Sequence, residues 1–169
     1  MRLKNLLWPD VASNADVDYL TTQGFWICFL VALEELAVGA AYGNPTRLVS
    51  AIFFYFGANG IRLRSRIAAV GLFVVYALGM IPVGVLWSVY FSSVWGTAVR
   101  SLLGLLLLAN LHAIWIAAKW PVRPPLDTSN KLSGRLPGIV WPKTRYLFFV
   151  WVALRILAFV YAVYAAGRG

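Results

Sequence analysis

The chain is poor in the groups from which most active sites are built. Its 169 residues include one cysteine, Cys28, one histidine, His112, and six acidic residues. A lone cysteine forms no internal disulfide, and one Cys with one His is too few for a Cys/His metal site. Haem would need a second axial ligand at the depth of His112. No second histidine exists, and Met80 falls about 10 Å away along the bilayer normal by helix rise. No GxxxxGK[ST], HExxH or GxSxG run occurs, so phosphate-loop, zinc-protease and serine-elbow chemistry lack their parts. No cofactor and no metal is expected. Charge is scarce as well: 12% of residues are charged, 61% are hydrophobic and the mean hydropathy is +0.75. A soluble domain carries roughly 25% charged and 45–50% apolar residues. Apolar surface on this scale exceeds what one soluble core can hide, and lipid is its natural solvent.

The charge that exists is lopsided, with 15 Lys and Arg giving a net +9. In a soluble protein that would point to nucleic acid. In so apolar a chain the cations read as topology signals and as contacts to anionic lipid headgroups, and no nucleic-acid partner is expected. Five apolar stretches predict an all-α integral membrane protein, a bundle of about five transmembrane helices with spans at about 24–42, 45–60, 67–90, 97–118 and 145–166. Residues 1–20 form a polar N-terminal segment, cytoplasmic or interfacial, in which Leu3, Leu6, Leu7 and Trp8 can lie on the membrane surface. Residues 21–169 form a single transmembrane domain. Signal-peptide cleavage after the first span is not expected, because the start is long and acidic and the apolar core contains Glu34 and Glu35.

Asn44-Pro45 is a helix cap followed by proline at the first helical position. The second span from Pro45 is about 24 Å long by helix rise, short for a hydrocarbon core of about 30 Å, so it either thins the bilayer or is re-entrant. Gly57-Ala58-Asn59-Gly60 reads as its end, and Pro82 should kink the third span. The segment 119–144, with five of the eight prolines, reads as a long basic loop. With the N-terminus inside, eleven basic residues fall in inner segments (Arg2, Lys4, Arg62, Arg64, Arg66, Lys119, Arg123, Lys131, Arg135, Lys143 and Arg145) and three in outer ones (Arg47, Arg100 and Arg168). That bias predicts a multi-pass protein of the cell (inner) membrane with a cytoplasmic N-terminus and an external C-terminus. Trp8, Trp87, Trp95, Trp120 and Trp141 fall near the expected boundaries, where an interfacial belt belongs.

Against this background the charges inside spans stand out. Glu34 and Glu35 lie midway along the first span and Arg155 midway along the fifth, both running the same way. Charge at the bilayer centre costs at least ~2.5–3.5 kcal/mol per residue and is usually paired. Ala37 and Ala41 follow Glu34 on one helical face, and Ala158 and Ala162 follow Arg155, so both faces suit close helix contact. One account is a buried ion pair that fixes helix pairing. The other is that two carboxylates against one guanidinium leave a carboxyl able to carry a proton. On the fourth span, Asn110 and His112 read as polar packing groups beside the small-residue ladder Ala109-Ala113-Ala117; Ala158-Ala162-Ala166 forms a second ladder. Arg62, Arg64 and Arg66 read as topology determinants that can meet lipid headgroups.

The sequence therefore predicts a non-enzymatic polytopic membrane protein, a scaffold, accessory subunit or assembly factor within a membrane complex. Its expected partners are membrane lipids, including anionic headgroups, and a second copy or another membrane protein. The alternative is a small proton- or cation-coupled transporter or channel using Glu34 and Glu35 with Arg155 as counter-charge. A weaker third is a lipid-acting enzyme built on the inner Arg cluster.

Overall fold

The computed structural model describes residues 11–81, 94–118 and 132–168. Those residues form five helices and no strand: α1 (Asn14–Ala41), α2 (Pro45–Arg62), α3 (Arg66–Met80), α4 (Val94–Ala117) and α5 (Leu132–Ala166). Three stretches are long and apolar enough to cross a membrane: Asn14–Ala41, Thr97–Ala117 and Leu136–Ala166.

Local chemistry sets the helix ends. α1 begins at a capping box: Ser13 Oγ accepts from the Asp16 amide, and the Asp16 carboxylate accepts from the Ser13 amide at 2.8 Å. The helix thus starts well before the apolar stretch that opens near Gly24. It ends at Gly43, whose φ of 61° is the left-handed conformation that releases the chain, with the Asn44 amide donating back to Gly39 O. Asn44 then caps α2 by accepting from the Thr46 amide at 3.1 Å, with Pro45 at the first helical position. α2 does not stop at Gly60 but runs to Arg62. Its exit repeats the α1 exit with Arg64 in the left-handed position, φ 58°, while the Ser65 amide donates to Gly60 O and the Arg64 amide to Ile61 O.

Two differences from the sequence expectation trace to proline. α3 ends at Met80 and Ile81 is extended (φ −82°, ψ 130°), because the ring of Pro82 disfavours helix in the residue before it. The continuation of that span to residue 90 lies outside the described residues. Conversely, α5 begins at Leu132, so the second half of the segment expected to be a loop is helical and carries Pro137 and Pro142 inside it. Each proline removes one intrahelical donor. Pro137 is fully buried, so packing rather than propensity holds the helix there.

Contacts fix the arrangement. α1, α2, α3 and α4 form a ring in which each helix packs on the next and α4 closes back on α1; α5 lies along the α2–α3 edge. Every helix is antiparallel to its predecessor. Arg66 at the start of α3 reaches Ala118 O just past α4, Tyr76 near the end of α3 donates to Arg100 O near the start of α4, and Trp141 near the start of α5 sits against Gly60 near the end of α2. The bundle therefore has an upper end, with the α1–α2 turn, and a lower end, with the α2–α3 turn. The start of α1 and the end of α5 lie at opposite ends.

Close approach rests on glycine. A Cβ on Gly57 would meet Leu72 Cγ at 2.7 Å, one on Gly60 would meet the Trp141 ring at 2.9 Å, and one on Gly71 would meet Phe148 at 2.9 Å. The residues Gly57 to Gly60 are thus a buried contact surface of α2 on α3 and α5. An aromatic layer fills the same seam, with Trp151 stacked on Phe53 at 5.1 Å and edge-on to Phe54 at 5.8 Å. Trp141, expected in an interfacial belt, is buried against Phe148 because Gly60 leaves room for its ring. The side chains of Trp8, Trp87, Trp95 and Trp120 lie outside the described set.

Candidate functional site

In the upper half of the bundle all five helices contribute to one cavity of about 440 Å³. α1 supplies Val31, Glu34 and Glu35; α2 supplies Thr46, Arg47, Ser50 and Phe54; α3 supplies Val75, Tyr76 and its last residues; α4 supplies Arg100; α5 supplies Arg155, Ala158, Phe159 and Ala162. The floor is α2. α1 and α5 stand on either side of it and share no substantial interface, so the cavity occupies the space between them.

Ion pairs organise its walls. Glu34 Oε1 accepts from Arg100 Nη2, tying α1 to α4, and Glu35 Oε2 lies 3.7 Å from Arg47 Nη1, tying α1 to α2. Both pairs are partly shielded: the Arg47 and Arg100 side chains keep only 13% and 19% exposure. Tyr76 Oη donates to Arg100 O at 2.9 Å, which holds the start of α4 against α3. Ser50 is buried and donates to Thr46 O one turn back. Arg155 lines the cavity and acts electrostatically on Glu35, but among the described residues it has no carboxylate within 4.0 Å. Three guanidiniums therefore face two carboxylates.

The sequence brought Glu34, Glu35 and Arg155 to attention, and the structure places all three on this one cavity. The direct partners of the two glutamates are different arginines. Arg47 and Arg100 had the appearance of span-end topology residues. The available signal was that they run against the charge bias, as two of only three basic residues assigned to the outer segments.

The remaining candidates lie elsewhere. Asn110 is buried and its Nδ2 donates to Leu20 O of α1; its Oδ1 has no partner among the described residues. Gly24 makes room for that amide, since a Cβ there would meet Asn110 Cγ at 2.6 Å. His112 is half-buried farther down α4. Both fall about 15 Å or more below Arg100 by helix rise and contribute nothing to the cavity. Ala109 and Ala113 are buried, whereas Ala158 and Ala166 of the second ladder are exposed.

Arg62, Arg64 and Arg66 gather at the lower end and are occupied there. Arg62 donates to Thr22 Oγ1 at 2.6 Å, Arg64 donates to Asp18 Oδ1 at 2.7 Å and to Asn14 Oδ1 at 3.0 Å, and Arg66 donates to Ala118 O at 3.2 Å while lying over the Trp115 ring. They lock the start of α1 and the end of α4 onto the α2–α3 turn. Among the described residues no three His, Cys, Asp or Glu side chains cluster as metal ligands would. The cavity's chemistry is that of charge recognition by guanidinium and carboxylate groups, walled by Phe54, Val75 and Phe159.

Comparison with protein families, with curated proteins and with solved structures finds no match, so the function is argued from the chain's own chemistry.

Proposed function

We propose that this chain is a non-enzymatic multi-pass protein of the cell (inner) membrane, an accessory or assembly subunit whose working site is the charged cavity between α1 and α5. The observation that carries the proposal is convergence: all five helices send residues to one guanidinium-rich cavity, in a chain whose sequence carries no phosphate-loop, zinc-protease or serine-elbow motif. The membrane assignment is supported by three helices of sufficient length and apolarity and by large apolar side chains left exposed along α1 and α5, among them Trp26, Leu30, Leu33, Leu147, Leu154 and Leu157. Lipid is the solvent in which such faces are stable. The start of α1 and the end of α5 lie at opposite ends of the bundle, which supports a reading with a cytoplasmic N-terminus, an external C-terminus and the eleven basic residues inside. The expected partners are lipids, and a membrane protein or second copy covering part of those faces.

A second reading is a small proton- or cation-coupled carrier using Glu34 and Glu35. It is favoured by the position of Glu34 on the exposed rim of the cavity. It is opposed by the three guanidiniums, which repel the cation such a carrier must admit.

The test is purification in mild detergent with parallel reconstitution. The accessory reading expects a stoichiometric complex that survives gel filtration, a fall in the assembled partner when the chain is deleted, and no flux under a pH gradient. Proton-driven flux that disappears in Glu34→Gln and Glu35→Gln establishes the carrier instead. Lipid turnover by the purified chain overturns both.

A further inference from the structure

The excess guanidinium of the cavity identifies the kind of ligand it suits. Glu34 is matched by Arg100 and Glu35 by Arg47, which leaves Arg155 on the wall with no carboxylate within ion-pair distance among the described residues. The other acidic residues among those described, Asp16 and Asp18, stand at the lower end of α1, away from it. In surroundings of low dielectric an uncompensated charge is costly, so a site with a net single positive charge favours uptake of one negative charge and rejects a second.

Size and lining add the rest. About 440 Å³ is far more than a bare ion fills, since one water takes about 30 Å³. The lining that Arg155 shares includes the apolar Phe54, Val75, Phe159 and Ala162, with Thr46, Ser50 and Tyr76 among its uncharged polar members. A guanidinium in a chamber that also presents apolar side chains suits an oxyanion that carries its own apolar body. Glu34 of α1 and Ala158 of α5 are exposed members of the lining, and these two helices share no substantial interface, so the cavity is open to a ligand on that side.

From this geometry we infer that the cavity binds a single monovalent oxyanion with an apolar body, its head on Arg155 and its body against Phe54, Val75 and Phe159. The inference rests on the membrane and binding reading above and names the ligand class for that site. The same chemistry is available from two sources, a soluble amphiphilic carboxylate or the phosphodiester of an anionic phospholipid.

The test uses the full chain in nanodiscs of phosphatidylcholine, with decanoate, acetate and inorganic phosphate as probes and thermal stability and calorimetry as readouts. Decanoate should bind saturably with one site per chain. Arg155→Gln should weaken it about tenfold or more, the effect expected when a charge-assisted hydrogen bond is lost. Arg155→Lys should retain part of the affinity, which separates loss of charge from loss of fold. Arg168→Gln, which removes a cation stacked on Tyr164 away from the cavity, should bind as the parent does. In a second arm the protein is purified from nanodiscs containing phosphatidylglycerol. A bound phosphatidylglycerol that decanoate displaces and Arg155→Gln fails to retain assigns the site to a lipid headgroup, and its absence alongside decanoate binding assigns it to a soluble amphiphile. Equal binding of decanoate by Arg155→Gln, no saturable binding of either source, or phosphate and acetate binding as tightly as decanoate overturns the inference. Failure here leaves the accessory-subunit reading standing, and an absent partner complex leaves the anion site standing.

Discussion

At the residue scale the structure turns on atoms that are not there. Gly60 is the clearest case. An added Cβ would press on the Cβ of Ala68, which is fixed to the α3 backbone, and would meet the Trp141 ring at 2.9 Å, a ring itself packed on Phe148 at 5.4 Å. None of these neighbours is the free end of a flexible chain. Alanine in place of glycine in a helix gains about 1 kcal/mol, but overpacking a seam of this kind costs about 1–3 kcal/mol. Gly60→Ala should therefore lower the melting temperature of the purified protein. Gly104→Ala, where the new methyl would find only the Tyr76 ring, Cε1 at an ordinary 3.5 Å and Cδ1 at 3.9 Å, should leave it unchanged or raise it. Equal effects of the two would mean that α2 and α3 are not in the contact described. The charged residues teach a related lesson. Glu34, Glu35 and Arg155 are legible in the sequence because each interrupts an apolar run. Arg47 and Arg100 are not, because an arginine one turn inside a helix end has the same sequence signature whether it reaches to a headgroup or turns inward to a carboxylate. Only the packing of α1 on α2 and α4 decides.

At the scale of elements, what could be read in advance was what backbone chemistry dictates locally. Asn44-Pro45 marks the start of α2 whatever surrounds it. The extent of α5 could not be read, since Pro137 and Pro142 signal a break locally and are overridden by burial of Pro137 and Trp141 against the bundle. The start of α1 was hidden because Asp16 and Asp18 interrupt residues 14–20, where only Val17 and Leu20 mark the buried face, and the capping box is what announces it. That box carries a pH dependence. Asp16 lies in the turns that precede the apolar stretch of α1. Its carboxyl is held below the ordinary value of 3.8, first by the hydrogen bond from the Ser13 hydroxyl and then by that from the Ser13 amide. A carboxyl depressed on folding contributes stability at pH above its unfolded value and loses that contribution as pH falls through the folded one. Hydrogen exchange at the first amides of α1 should thus accelerate, relative to amides in the middle of the helix, once the pH drops below 3.8. Asp16→Asn should exchange faster at neutral pH and show no such step. A step that survives in Asp16→Asn would mean that another group governs the end of the helix.

At the scale of the molecule, the distribution of surface decides what solvent the bundle is built for. α5 packs on α2 and α3 through Trp141, Phe148 and Trp151 and leaves Leu147, Val150, Leu154, Leu157 and Tyr161 outward at the spacing of one helical face. For a protein in water, placing lysine on that face removes an apolar liability and costs little. For a protein in lipid, the cost depends on depth: about 2.5–3.5 kcal/mol per charge at the helix centre, falling towards the end where a long side chain can reach the headgroups. Leu154 and Leu157 lie along the middle of the long apolar part of α5, and Val163 lies in its last turn. A reporter fused after the last residue reads whether α5 has carried the C-terminus across. The double change Leu154→Lys, Leu157→Lys should sharply reduce the translocated fraction, with Val163→Lys close to the parent. Loss in the double variant alone follows from the hydrocarbon gradient. Indifference at both positions, with the protein more soluble for the added charge, would make the apolar face of α5 a surface for another protein in water and would remove the low-dielectric setting on which the anion preference of the cavity depends.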